Sequence, residues 1–274
     1  MRNLALSLTA LALVACGSTP NQPVDLSKLP PLSSQESALL TTGQVAASQG
    51  NIAQAEKNYL SAVGLSEGHV EAHLALADLY MRTNQHSKAR EVLEKAAEFQ
   101  PNHVGVDYML GKIYLQENRA QDALTVFNRG LSTQPNSFDL LLGKGIANDM
   151  LRQHTAAQVA YQNAINTNPT GDIALARTNL AMSLLLDNKP ARAAEILKAD
   201  AAKPDASPVT RHNLALAYGM LGKHAEAKAL VGNDMTEEER QVSLKRLAQY
   251  IAGRDDAGKA IGAPVTPALI KEAK

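Results

Sequence analysis

Small and large apolar positions recur along this chain at a fixed spacing. Ala55, Ala89, Ala123, Ala157, Ala193 and Ala227 lie 34, 34, 34, 36 and 34 residues apart. Twelve residues upstream of each stands a second small residue, in turn Gly43, Ala77, Gly111, Gly145, Ala181 and Ala215. Four residues after each alanine comes a large side chain: Tyr59, Leu93, Phe127, Tyr161, Leu197 and Val231. Three residues after the upstream small site stand Tyr80, Tyr114 and Tyr218, with Ala46, Asn148 and Leu184 at that place in the other units. Apolar residues three and four apart predict helices with one buried face. A small residue is needed where two such helices cross closely, because anything larger than a methyl holds the backbones apart. The repeat of 34 therefore predicts a row of helical hairpins, each too thin to bury its own apolar face and dependent on its neighbours.

The pattern resembles the tetratricopeptide repeat over roughly residues 36 to 232. The best-matching unit reads VEAHLALADLYMRTNQHSKAREVLEKAAEFQPN, with Leu76, Ala77, Tyr80, Ala89, Leu93, Ala96 and Pro101 on the family's consensus positions. Pro101, Pro135 and Pro169 end successive second helices, since proline cannot donate the bond that a further turn needs. The fifth unit is two residues longer, with Pro204 one place early, and the sixth has no proline there. The family's tryptophan near the start of the first helix is absent throughout. The expected fold is all-α: a solenoid of about six hairpins with a C-terminal capping helix.

The flanks differ from the array. Residues 4 to 15, LALSLTALALVA, are an uncharged apolar run after Arg2, the length of a secretory core and too short to cross a bilayer as a helix. The run ends in Leu13-Val14-Ala15-Cys16, which resembles a bacterial lipobox. That resemblance implies removal of residues 1–15 and lipidation of Cys16, with several acyl chains giving stable anchoring. Gly17 in place of aspartate implies, by the same resemblance, the periplasmic face of the outer membrane. Residues 16–35 carry the lipidated cysteine and a Pro-, Ser- and Gln-rich stretch that reads as a flexible tether, followed by the array at 36–232. In the segment 233–252, Thr236 and Glu239 form a capping box, and Val242, Leu244, Leu247, Tyr250 and Ile251 supply an apolar stripe for the capping helix. Residues 253–274 read as a mobile tail.

Composition and charge narrow the function. Lys+Arg and Asp+Glu are both 27, and this balance argues against a nucleic-acid partner, which would require a basic face. One cysteine allows neither an internal disulfide nor a multi-cysteine metal site. His69 and His73 have a spacing that can chelate a metal on one helix face, but the glutamate is one place late for a zincin. Gly143-Lys144-Gly145 lacks the remaining parts of a phosphate loop, and no nucleophile elbow is present. The chain is expected to have no catalytic residues, metal or cofactor, and to bind protein.

The repeat resemblance implies that the first helices line a concave groove. In that register the groove presents Leu74, Asp78 and Met81, then Tyr108 and Lys112, then Leu142 and Ile146, then Thr178, Asn179 and Met182, and finally His212, Asn213 and Leu216. Asn179 and Asn213 carry amides that can pair with both donor and acceptor of an extended backbone. Leu74 and Tyr108 stand where a clamp for terminal carboxylates would need lysines. The segments ALARTNLAMSLLLDNKPARAAEIL and VTRHNLALAYGMLGKHAEAKAL, with the closing DMTEEERQVSLKRLAQYI, resemble the TadD family of repeat lipoproteins of the tight-adherence (Flp) pilus machinery. That likeness implies a pilotin-like role with a secretin subunit as partner. A periplasmic scaffold for peptidoglycan enzymes is the alternative from another class.

Overall fold

The computed structural model describes residues 32–65, 69–168 and 173–230. Within them lie twelve helices and no strand. They are α1 (Ser34–Ser48), α2 (Ile52–Leu65), α3 (Glu71–Arg82), α4 (His86–Phe99), α5 (Val104–Gln116) and α6 (Ala120–Thr133), then α7 (Phe138–Met150), α8 (His154–Thr167), α9 (Ala174–Leu186), α10 (Pro190–Ala201), α11 (Pro208–Met220) and α12 (His224–Leu230). They pair in order into six hairpins, and each hairpin packs on the next. Cys16, the tether as far as residue 31, Pro169, Val231, the expected capping helix and the tail lie outside the described residues, whereas Ser34 and Gln35, expected in the tether, open α1.

The recurrent alanines are the closest-contact points, each fully buried. The upstream small site varies with what it faces. Where the large residue is aromatic (Tyr59, Phe127, Tyr161) the small site is glycine (Gly43, Gly111, Gly145), and a Cβ there would lie 2.5, 2.3 and 2.3 Å from the ring. Where the large residue is Leu93 or Leu197 the small site is Ala77 or Ala181. Ring and methyl are thus alternative ways of filling one volume. Phe127 also reaches into the next hairpin, 2.4 Å from where a Cβ on Gly143 would sit.

The turn inside each hairpin is equally regular. Gly50, Asn84, Asn118, Arg152, Asn188 and Gly222 all have positive φ, between 56° and 76°, each five residues ahead of a recurrent alanine. Each ends a first helix in the left-handed conformation that glycine and asparagine adopt readily. Arg152 is the exception, holding φ 60° with a β-carbon and an exposed side chain. Arg152→Gly is therefore expected to raise stability by about 1 kcal/mol in a urea melt.

Between hairpins, the residue before proline sets the break. Gln100 and Gln134 follow α4 and α6 with φ/ψ of −132/82° and −127/81°, the extended region that a following Pro101 or Pro135 imposes. At the other end of the array, Ser33 caps α1 by accepting from the Glu36 amide at 3.1 Å. The face α1 turns outward is mostly polar, with Gln35, Ser37, Thr41, Thr42, Gln44 and Ser48 exposed, so it requires no further hairpin against it.

Candidate protein-binding face

The stacking itself tells which helices lie inside the curve. α1 touches α3, α5 touches α7, α7 touches α9, and α9 touches α11, whereas the even-numbered helices make no comparable contact with one another. In a curved stack the layer whose members approach more closely is the inner one, so the odd-numbered helices line the concave face. Between α3 and α5 the approach is looser, with Leu74 of α3 reaching 3.5 Å from where a Cβ on Gly105 of α5 would sit.

That face has two halves. In the N-terminal half, Leu74, Asp78 and Met81 on α3 and Tyr108 on α5 are half-buried, and Lys112 is exposed with its Nζ 5.3 Å from the Tyr108 ring centre. In the C-terminal half the inner helices close up. Leu142, Ile146, Thr178, Asn179 and Asn213 are only 5, 2, 7, 5 and 3 % exposed, while Met182, His212 and Leu216 remain half-buried. Of the thirteen expected groove positions, all on odd-numbered helices, Lys112 is exposed, Leu74, Asp78, Met81, Tyr108, Met182, His212 and Leu216 are half-buried, and the other five are buried.

The closed half holds polar groups. Thr178 and Thr210 hydroxyls lie 3.3 Å apart across α9 and α11. The Nδ2 of Asn179 is buried with no hydrogen-bond partner. Such a donor lacks the compensation that buried polar groups normally find.

A larger polar cluster sits at the α7–α8 turn. The Asp149 carboxylate, 9 % exposed, accepts from His154 Nδ1 at 2.9 Å, from Ser183 Oγ at 2.7 Å and from Tyr161 Oη at 3.1 Å. Burial pushes the Asp149 carboxyl up, and the bonds from His154, Ser183 and Tyr161 pull it partly back. Burial also raises the Tyr161 phenol, with the Asp149 charge adding to it. Serine, histidine and aspartate meet here, but the serine donates to the aspartate and not to the imidazole, and Ser183 is fully buried. No nucleophile–base relay exists in this arrangement. It is a brace, because Ser183 belongs to the following hairpin.

The opposite edge of the array carries a second kind of brace. Asp107, fully buried on α5, is held by Arg129 of α6. Two hairpins on, the equivalent position is Arg177 on α9, which meets Asp200 of α10 at 2.6 Å and donates to the Ile196 carbonyl at 2.7 Å. The same seam is filled by opposite charges in the two units. Sequence reading missed these pairs and the Asp149 cluster, although an acid and a base exchanging places at one repeat position is a signal that alignment of the units exposes. Among the described residues no group of three or more potential ligands could hold a metal, and the His69–His73 pair is directed into the packing, at 9 and 3 % exposure.

Tetratricopeptide-repeat profiles match the chain at residues 46–113 and 88–144 and again at 208–232. No curated protein matches it. Among solved structures, a tetratricopeptide repeat protein from Parabacteroides merdae is similar with a TM-score of 0.68 at 16 % identity, over 81 % of this chain and 90 % of that one. MamA from Desulfovibrio magneticus is similar at 0.56 and 17 % identity, over 61 % of this chain and 94 % of that one. Another MamA structure is similar at 0.54 and 18 % identity, over 70 % and 94 % of the two chains. At such identities the likeness speaks for the fold. With the repeat spacing, the closed hairpin seams and the inner layer of first helices, it makes this chain a tetratricopeptide-repeat solenoid, a fold whose members generally serve as protein-binding scaffolds.

Proposed function

We propose that the chain is an outer-membrane lipoprotein that acts as a protein-binding scaffold or pilotin in tight-adherence (Flp) pilus biogenesis, holding a secretin segment on its concave face. The observation that carries the binding site is the looser approach of α3 to α5, where Leu74, Met81 and Tyr108 are half-buried and Lys112 is exposed beside the Tyr108 ring. Apolar surface, an aromatic ring and a cation there suit an extended segment with apolar anchors. The pilus and secretin assignment is supported by the Arg-x-Asn-Leu-Ala openings at Arg177 and Arg211 and by Cys16 at the end of its apolar run.

In this reading the acyl chains on Cys16 hold the array at the membrane. The seventeen residues from Gly17 to Ser33 give it a reach of at most about 60 Å. Tethering raises the local concentration of the groove around newly arrived subunits without any new contact. Cys16→Ala, expressed to the normal level, is expected to lower the amount of outer-membrane secretin and to abolish pili. A photo-crosslinker at Met81 or Tyr108 is expected to trap the secretin, with one at exposed Val159 on α8 as the control. Unchanged secretin and pili in the Cys16 variant would refute the reading.

A further inference from the structure

His73 is a buried base in a position the binding reading leaves unused. It lies on α3 at 3 % exposure with its Nδ1 buried, and its polar neighbour is the His69 backbone one turn earlier. Its ring centre is 5.7 Å from that of Phe99 at the end of α4, tilted by 56°. Phe99 is itself 40 % exposed, so part of the ring that meets His73 faces water.

The charges on the surrounding helices give a protonated ring no counter-ion. Lys95 on α4 acts on it with the wrong sign, and Glu91 lies 3.7 Å from that lysine. Elsewhere on α4, Glu94 faces Arg90 and the Tyr114 hydroxyl, while Glu98 is exposed. On α2, Glu56 accepts from the Tyr80 hydroxyl and lies near Lys88, and Lys57 is exposed. On α3 itself Glu71 is exposed and Asp78 is paired with Arg82. On α5, Asp107 is held by Arg129. On α1, the Glu36 carboxylate lies 3.6 Å from His69 Nδ1, one helical turn away from His73.

Burial holds the His73 imidazole below its ordinary value of 6.5, a hydrogen bond to the His69 backbone acts the other way, and Lys95 adds to the lowering. A histidine depressed in the folded state contributes stability that is complete above its unfolded value and is lost as pH falls through the folded one. The loss falls on a helix whose approach to α5 is looser than the other inner-layer contacts.

We propose that His73 is a proton-operated catch: its protonation in mild acid loosens the seam between α3 and α4, while the Glu36–His69 contact keeps α3 attached to α1. Leu74, Asp78 and Met81 ride on α3, so a segment held there would be released in acid. That last consequence rests on the proposed groove, whereas the catch itself operates in the free chain and is tested there.

The test is amide hydrogen exchange of the full chain without partner, at about pH 7.5 and about pH 5, corrected for the intrinsic pH dependence of exchange. Peptides from α3 and α4 are expected to lose protection in acid. Peptides from α7 and α8 are expected to keep theirs. His73→Leu is expected to abolish the acid response of α3 and α4. An equal response in that variant, or none in the native chain, overturns the proposal. Should the variant fail to fold, an NMR titration of the His73 ring decides: a depressed midpoint accompanied by shifts in α3 and α4 supports the catch, and an ordinary midpoint without them overturns it.

Discussion

Phe127→Ala is expected to lower the unfolding free energy by about 3–5 kcal/mol and to split one urea transition into two. Phe127 is fully buried and fills space against both Gly111 of its own hairpin and Gly143 of the next. Truncation leaves a cavity that neither glycine can reach across. In a linear array, stability is the sum of unit terms and nearest-neighbour interfaces, so weakening one interface uncouples the stack on either side. Hairpins one to three and four to six should then unfold at different denaturant concentrations, read by exchange in α3 and α9. One shifted transition, with both probes moving together, would show that Phe127 carries no special share of the coupling.

Gly43→Ala is expected to destabilise the first hairpin although alanine is the better helix former. The added Cβ would come within 2.5 Å of Tyr59 Cε1 and 2.7 Å of its Cδ1. Overpacking of this kind costs about 1–3 kcal/mol, against roughly 1 kcal/mol gained from helix propensity. Joining it to Tyr59→Leu recreates the combination that Ala77 with Leu93 and Ala181 with Leu197 already use. The double variant should recover most of the loss, with a coupling of about 1–3 kcal/mol in the double-mutant cycle. Additive effects would mean that ring and methyl do not compete for one space.

Much of this architecture was legible in the sequence because a repeat states each packing rule several times. The alanines, the small sites and the large side chains were visible as lists, and their positions in the hairpin follow from helical spacing alone. The pairing of glycine with ring was less visible, since it appears only when two lists are compared unit by unit. The left-handed turns were equally hidden: Asn84, Asn118 and Asn188 suggest them, but Arg152 does not look like such a residue. The expected groove residues all fall on the odd-numbered helices, but how accessible each one is was not legible. How far Leu142, Ile146 and Asn213 are covered depends on how closely α7, α9 and α11 approach, which no local pattern encodes. Side-chain braces such as Asp149 with Ser183, thirty-four residues apart, depend on hairpin orientation in the same way.

The reversed charges at one seam bear on how this array avoids folding into the wrong partners. Its hairpins share their small sites and their spacing, so an α5 could in principle clasp an α10, either within one chain or between two. That exchange would press Asp107 against Asp200, and the converse would press Arg177 against Arg129. Like charges at a closed seam repel, and Asp107 has no exposure to water there. Neighbouring units of similar sequence are a known route to misassembly in repeat arrays. Here the third and fifth hairpins carry opposite keys, which disfavours exchange between those two while leaving their correct pairings intact.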